Sequence, residues 1–284
     1  MINRFILVVA CLLACTAQAG PKVIALSWES TEYLLNIGVT PQAIADRVDY
    51  DKWVVQPALP AHVLDVGSRF EPNLERIYAL KPDLILIGPA LSGMQSKLLK
   101  IAPTIVLDAF RTDHDNALVA EQLQRQLAIR LNRLPAHEAF LEASRRKQAE
   151  LRQSIAQRFG SQPPAVCVVR FASPTTYWAY GENSMPEAAL NQLGLRNACP
   201  QARSMWGLQL HKVPDLSVIG DGVLLKIMPF EREAELMRSP IWQALPVVRR
   251  DRVYTLPPVW THGGLHSIDL LAQSIADTLT SSRN

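Results

Sequence analysis

The sequence lacks the short motifs that mark many enzymes and nucleotide-binding proteins. It contains no GxSxG, the turn that carries the serine nucleophile of α/β hydrolases, and no P-loop or GxGxxG for phosphate groups. No CxxC pair is present, which excludes a zinc ribbon and a thioredoxin-like redox site. Lysine and arginine are scattered and the formal net charge is only +3, so we expect no nucleic-acid partner.

Long hydrophobic runs are also scarce. Beyond residues 5–14, no stretch approaches the roughly 18 apolar residues that a membrane-spanning helix needs. This run follows Arg4 and precedes Ala17-Gln18-Ala19, the small-residue pattern of a signal peptidase site, so cleavage before Gly20 and export are predicted. One alternative is a lipoprotein box that ends at Cys15 and would leave the chain tethered by lipid. A retained membrane anchor is the other alternative.

Cysteine is rare, with four residues in the chain. Cys11 and Cys15 belong to the targeting segment, which leaves Cys167 in an apolar run and Cys199 in a loop. In an oxidising compartment such a pair tends to close into a disulfide, and two buried thiols are the alternative.

The remaining pattern predicts two α/β lobes joined by a single long α-helix. Short apolar runs such as residues 83–88 (DLILIG) alternate with helical segments in both halves, as in parallel sheets covered by helices. Residues 136–159 form one polar, helix-favouring segment that ends at Gly160, and we interpret it as a strut between the lobes. The expected division is a signal peptide at 1–19, an N-terminal lobe at 20–134, a connecting helix at 135–160 and a C-terminal lobe at 161–284.

Tryptophan points to a binding cleft. Trp53, Trp206 and Trp260 lie in predicted loops, and indoles at the ends of α/β strands often line a ligand site, whereas Trp242 fits helix packing.

His262-Gly263-Gly264 resembles a lipase oxyanion motif, but without a nucleophile we interpret it as the glycine-rich start of a helix. His262 and His266 have helical spacing without a carboxylate partner, a weak signal for a metal.

Two groups of motifs resemble a known family. In the first half, residues 63–69 (VLDVGSR), 71–75 (EPNLE) and 80–84 (LKPDL) resemble metal-chelate binding proteins of ABC importers. In the second half, the similarity is to the ferric-hydroxamate (ferrichrome-type) branch of that family, through residues 181–184 (GENS), 205–207 (MWG), 240–246 (PIWQALP) and 253–260 (VYTLPPVW). The likeness covers nearly all of the chain after the first segment.

The resemblance implies a periplasmic substrate-binding component that captures a ferric hydroxamate siderophore between its lobes and delivers it to an inner-membrane ABC permease with its ATPase. It implies a monomer without enzymatic activity or cofactor, in which the siderophore alone holds the iron. The family's ligand-binding positions fall on Arg69, Trp53, Trp206 and Trp260. The chain departs from the family at Leu91 and His262, where family members carry tyrosines.

The same resemblance implies docking to arginines of the permease through acidic residues on the outer rim of each lobe. In the N-terminal lobe the matching position is Glu75. In the C-terminal lobe the candidates are Glu231, Glu233 and Glu235.

Charge favours a hydroxamate over a catecholate ligand. A ferric tris-catecholate carries about three negative charges and needs several converging cations, whereas only Arg69 is cationic among the matched positions. Arg111, Arg170 and Arg203 would weaken this argument if they entered the cleft, and they are expected at the surface. Binding of haem or cobalamin by the same fold and a periplasmic siderophore esterase remain the alternatives.

Overall fold

The computed structural model describes residues 20–281, so the predicted signal peptide and Cys15 lie outside the described residues. Within them the chain forms two five-stranded sheets. The first sheet contains β1 (Val23–Ala25), β2 (Ala43–Ile44), β3 (Leu64–Asp65), β4 (Leu84–Ile87) and β5 (Thr104–Val106). Its strands are all parallel, in the order β3-β2-β1-β4-β5.

The helices of the N-terminal lobe follow local signals in the sequence. They are α1 (Trp28–Asn36), α2 (Arg47–Trp53), α3 (Leu74–Leu80) and α4 (Gln95–Leu98). Asn73 caps α3, since its side-chain oxygen accepts a hydrogen bond from the Arg76 backbone N–H at 2.9 Å. Before β5 the chain forms a 3-10 segment, Pro89–Met94, followed by the one-turn α4. Gly93 disfavours a regular α-helix there.

The long connecting helix is present. After α5 (Asn116–Arg130), α6 runs from Leu134 to Phe159, with Pro135 in its first turn, where the missing N–H costs no hydrogen bond. Its buried residues His137, Ser144 and Leu151 recur every seven positions. The buried side of α6 packs mainly against the C-terminal helix, and at its start His137 meets Gln124 of α5 at 3.1 Å, while most of the polar remainder faces solvent.

The second sheet mixes parallel and antiparallel pairs. It contains β6 (Val166–Ser173), β7 (Thr176–Tyr180), β8 (Leu208–Lys212), β9 (Val223–Ile227) and β10 (Val253–Leu256), in the order β10-β9-β6-β7-β8. Strands β10, β9 and β6 are parallel, whereas β7 and β8 pair antiparallel. The helices are α7 (Met185–Leu193), α8 (Glu233–Arg238), α9 (Pro240–Ala244), α10 (Pro246–Arg249) and α11 (Leu265–Ser281).

A disulfide joins Cys167 in β6 to Cys199 in the loop after α7, with a Cα–Cα distance of 5.3 Å. Both half-cystines are buried in a cluster that also contains Trp242. Trp242 packs edge-on against Phe171 at 5.7 Å, the packing role expected for it.

One of the apolar clusters in the interior spans both lobes. A single cluster of buried side chains joins residues of the first sheet, such as Leu86, to residues of the second sheet, such as Leu225, through Leu271 and Ile275 of α11. The relative position of the lobes is therefore held by packing as well as by α6. None of the helices in residues 20–281 is long and apolar enough to cross a membrane.

Candidate ligand-binding site

A cavity of about 360 Å³ opens between the lobes at the carboxyl ends of β1 and β4. These neighbouring strands are where the strand order of the first sheet reverses, the position at which open α/β sheets bind ligands. Both lobes contribute to the wall. The lining residues are Leu26, Ser27, Glu29, Arg69, Phe70, Gly88, Ala90 and Leu91 from the first lobe, and Trp178, Trp206, Leu208, Trp260 and His262 from the second.

Arg69 lies on the cavity wall and is held from two sides. Its backbone N–H and its Nε both donate to Asp46 Oδ2 at 3.0 Å. Its guanidinium carbon lies 3.3 Å from the ring centroid of Trp28 and 5.7 Å from that of Trp260. Arg69 therefore has an ionic partner inside the protein, Asp46, which its position after β3 in the sequence does not reveal. The salt bridge to Asp46 fixes the plane of the guanidinium, whose terminal nitrogens donate to no group within residues 20–281.

Trp28 was not recognised from the sequence as part of the site, because it begins α1. It is buried beneath Arg69, and its Nε1 donates to the Ala45 carbonyl at 3.2 Å. Its ring meets that of Trp260 edge to face at 4.7 Å. Trp28 thus links the N-terminal lobe to the tryptophan that follows β10, and it supports Arg69 from below.

Aromatic rings surround His262 on the cavity wall. Trp206, Trp260 and Phe110 lie 5.8, 5.2 and 5.6 Å from its ring, and Phe110 stacks on Trp206 at 5.5 Å. Burial, together with the positive charges of Arg170 and Arg69, lowers the pKa of His262 to about 4. The imidazole is therefore neutral at physiological pH and adds no charge to the cavity.

The lowered pKa of His262 predicts a loss of stability in acid. Between its unfolded value of 6.5 and about 4, the unfolded chain binds a proton at this residue that the folded chain does not. Stability is therefore full above pH 6.5 and falls as the pH drops toward 4, by up to about 1.4 kcal/mol per pH unit. Denaturant unfolding from neutral to mildly acidic pH measures the fall, which should be smaller in His262→Phe. An equal fall in both proteins would assign it to other groups.

Trp53 is not among the residues that line the cavity, although the resemblance placed it there. It is half-buried against the core, with the guanidinium of Arg170 5.5 Å from its ring. Arg170 was expected at the surface, but it is partly buried and donates to the carbonyls of Val259 at 2.7 Å and Met228 at 3.4 Å. This arginine braces the segment before Trp260 and packs on the N-terminal lobe.

Arg111 and Arg203 do not reach the cavity wall. They form ion pairs with Asp113 at 2.9 Å and Glu182 at 3.6 Å, on side chains that are about half exposed. Arg69 is therefore the only cationic residue among those that line the cavity in the described part of the chain.

Several lining residues were missed by sequence reasoning. Trp178 lies in the middle of β7. The alternation of residues along a strand predicts which side chains share a face of the sheet, but it does not predict that this face borders a cavity. Phe70 is 71% exposed beside Arg69, a signal for ligand contact that only a structure provides. Glu29 looks in sequence like an ordinary first-turn acid of α1. Leu91, at a position predicted from the resemblance, does line the wall.

The segment His262-Gly263-Gly264 is the start of a helix. Glu32 of α1 is fully buried and accepts hydrogen bonds from the backbone N–H groups of Gly264 at 2.8 Å, His266 at 3.1 Å and Ser267 at 3.3 Å, and from the Ser267 hydroxyl. A Cβ on Gly264 would lie 2.5 Å from the Tyr33 ring. These glycines allow the close approach of α1, and Glu32 occupies the donors that an oxyanion hole would need.

The histidine pair does not form a metal site. His262 lies among the cavity aromatics, whereas His266 lies 6.5 Å from the ring of Phe140. No group of three or more His, Cys, Asp or Glu residues in the described chain is arranged to hold a metal ion.

The acids expected to dock a permease differ in their surroundings. Glu75 is exposed in the first turn of α3, forms no ion pair within residues 20–281, and borders the exposed Tyr78. Each C-terminal candidate already has a cationic partner. Glu231 pairs with Lys52 of the other lobe at 2.8 Å, Glu235 pairs with Arg232 at 2.7 Å, and Glu233 pairs with Lys226.

Comparison with known proteins gives a consistent relationship. The family model described as periplasmic binding protein matches residues 23–259. The chain is 28% identical over 266 residues to the iron(3+)-hydroxamate-binding protein FhuD of Escherichia coli, covering 89% of this chain and 86% of that protein. It is 25% identical over 273 residues to the achromobactin-binding periplasmic protein of Dickeya dadantii, covering 90% and 85%.

Among solved structures, the siderophore-binding protein FhuD from Vibrio cholerae with bound Fe3+-Desferal superimposes with a TM-score of 0.90. The two sequences are 36% identical, and the match covers 93% of this chain and 99% of that one.

Proposed function

Because this chain belongs to the periplasmic binding protein family, we propose that it is the substrate-binding component of an ABC importer and captures a ferric hydroxamate siderophore. The cavity between the lobes is the binding site, and the siderophore itself holds the iron. Relatives named for a ferric hydroxamate and for Fe3+-Desferal support this ligand class. The signal sequence expected at residues 1–19 would place the protein in the periplasm, free after cleavage or tethered through Cys15.

The charge balance of the cavity carries the proposal. Arg69 and Glu29 are its charged groups of opposite sign, and His262 is neutral. A ferric tris-catecholate, with about three negative charges, would face too few cations in such a site. A ferric tris-hydroxamate is neutral at iron, with an apolar body and a ring of oxygens. Indoles contact that body, and the Arg69 guanidinium donates to the oxygens.

Tryptophan fluorescence titration tests the ligand class directly. Trp178, Trp206 and Trp260 line the cavity, so a bound ferric complex should quench the emission. A panel of ferric hydroxamates, a ferric catecholate, haem and cobalamin should give the tightest binding with a hydroxamate. Tighter binding of haem or cobalamin would replace the proposal by the alternative ligand class of the same fold.

Replacement of Arg69 by alanine should weaken ferric-hydroxamate binding by about one to two orders of magnitude. Each charge-assisted hydrogen bond in a site shielded from water contributes roughly 1.5–3 kcal/mol. Arg69→Lys should recover only part of the loss, because an ammonium cannot present a planar fork. Calorimetric titration of the wild type and both variants gives the affinities.

The salt bridge to Asp46 requires controls for this experiment. Thermal melts should show that each Arg69 variant is folded at the titration temperature, because Asp46 loses its partner. Arg76→Ala removes an exposed arginine outside the cavity and should bind like the wild type. Unchanged affinity in Arg69→Ala would remove Arg69 from the site and weaken the case for a hydroxamate ligand.

Delivery to the permease is proposed to use Glu75. Its exposed carboxylate, free of ion pairs within residues 20–281, is available to an arginine of a membrane partner, and Tyr78 beside it adds apolar contact area. Glu75→Arg should abolish siderophore uptake in cells while leaving siderophore affinity intact. The matched control is Glu150→Arg, an exposed position on α6. Loss of affinity in Glu75→Arg would show instead that the residue serves the fold.

A further inference from the structure

The cavity contains a carboxyl group that the binding of a neutral iron centre does not use. Glu29 is the second residue of α1, and its partly buried side chain lines the same wall as Arg69. The other N-terminal lining residues, apart from Ser27, are apolar or glycine. A carboxylate in such a wall loses hydration, and burial raises the pKa of Glu29.

The polar partners of Glu29 are few and local. Its own backbone N–H and the side chain of Ser27, which caps α1, lower its pKa, against the larger effect of burial. Within residues 20–281, none of the ion pairs includes Glu29, so Arg69 influences it only from beyond salt-bridge distance. Its carboxylate therefore retains capacity to accept hydrogen bonds from a ligand.

Gly88, which lies against Glu29 on the cavity wall, leaves room for the Glu29 carboxyl group. A Cβ on Gly88 would lie 2.8 Å from Glu29 Oε1. Gly88 has a φ of −88°, which any residue can adopt, so the backbone conformation does not require glycine. The Glu29 carboxylate lies close against Gly88, between the start of α1 and the 3-10 segment that carries Ala90 and Leu91 to the cavity.

We propose that Glu29 is a specificity-determining residue that favours ferric hydroxamates carrying a cationic group, such as a primary ammonium, over neutral ones. The inference rests on the proposed function and adds a second contact to it. Arg69 donates to the hydroxamate oxygens around the iron, and Glu29 accepts from an ammonium on the ligand's organic chain. The pairing supplies the opposite charge that the partly buried carboxylate lacks among the described residues.

A matched pair of ligands tests the proposal. The first is the ferric complex of a linear trihydroxamate with a free primary amine, and the second is the same complex with that amine acetylated. The wild type should bind the amine form roughly tenfold more tightly, the effect of one charge-assisted hydrogen bond partly offset by lost hydration. Glu29→Gln should abolish this preference while keeping the affinity for the acetylated form.

Glu71→Gln is the control variant, since it removes one negative charge from an exposed residue that follows Phe70 and does not itself line the cavity. It should keep the wild-type preference. A second measurement needs no variant: rising ionic strength should weaken wild-type binding of the amine form more than that of the acetylated form.

The opposing outcomes are distinct. Equal wild-type affinity for the two ligands, or a preference that survives Glu29→Gln, would overturn the role of Glu29 and leave the proposed function standing. A Glu29→Gln variant that changes the affinity for both ligands equally would show that Glu29 balances the charge of Arg69, which also overturns the proposal. If the wild type binds neither ferric complex, the proposed function itself fails.

Discussion

Replacement of Glu32 by alanine is expected to lower the free energy of unfolding by about 3–5 kcal/mol. The carboxylate is fully buried and accepts from three backbone N–H groups and one hydroxyl at the start of α11. Alanine would leave these donors unpaired away from water and would remove the negative charge at a helix N-terminus. Because α11 follows directly after Trp260 and His262, ligand affinity should fall as well.

Denaturant unfolding of the wild type and variants measures this effect. Glu32→Gln keeps one acceptor oxygen and should lose less stability than Glu32→Ala. Glu150→Ala removes an exposed acid from α6 and should stay within about 0.5 kcal/mol of the wild type. A loss in Glu32→Ala as small as that of the control would mean that water satisfies the start of α11.

Removal of the disulfide should cost about 3–4 kcal/mol. Cys167 and Cys199 are separated by 32 positions, and opening a loop of that length restores conformational freedom mainly to the unfolded chain. Both sites are buried beside Trp242, so alanine is the suitable replacement, because serine would bury a hydroxyl without an assured partner.

Treatment with a reductant distinguishes the effect of losing the disulfide bond from the effect of replacing the cysteine side chains. It should destabilise the wild type and leave the Cys167→Ala/Cys199→Ala double variant unchanged. A wild type whose unfolding midpoint does not move on full reduction would show that the cross-link adds nothing to stability. The affinity for ligand should survive in the folded double variant, because neither cysteine lines the cavity.

Much of the fold could be predicted because its signals are local. The apolar run at residues 83–88 predicts a buried parallel strand, and β4 lies there with all four residues buried. Asn73 and Gly160 mark helix ends that the structure contains. Strand β8 escaped prediction although Leu208 and Leu210 alternate with polar residues, because so short a pattern is weak by itself and the strand depends on its pairing with β7.

The candidate site was predicted less completely. Arg69, Leu91, Trp206, Trp260 and His262 do line one cavity, as the resemblance implied. The partner of Arg69, however, is Asp46, 23 positions earlier, and the ring beneath it is Trp28 at the start of α1. Trp53 at the end of α2 is not among the residues on the cavity wall, and Arg170 in β6 is not at the surface, because these two side chains meet across the lobes.

By itself the sequence determined the alternation of strands and helices, the long helix, and the absence of catalytic and nucleotide-binding motifs, because periodicity, helix caps and motif spacing act over a few residues. Tertiary structure alone decided which side chains share the cavity and which acids remain unpaired there. Those outcomes depend on contacts between segments far apart in the chain, such as Glu32 with the start of α11 and Glu29 with Gly88. Local patterns cannot encode such contacts, since the direction of each side chain is set by what the opposite lobe places against it.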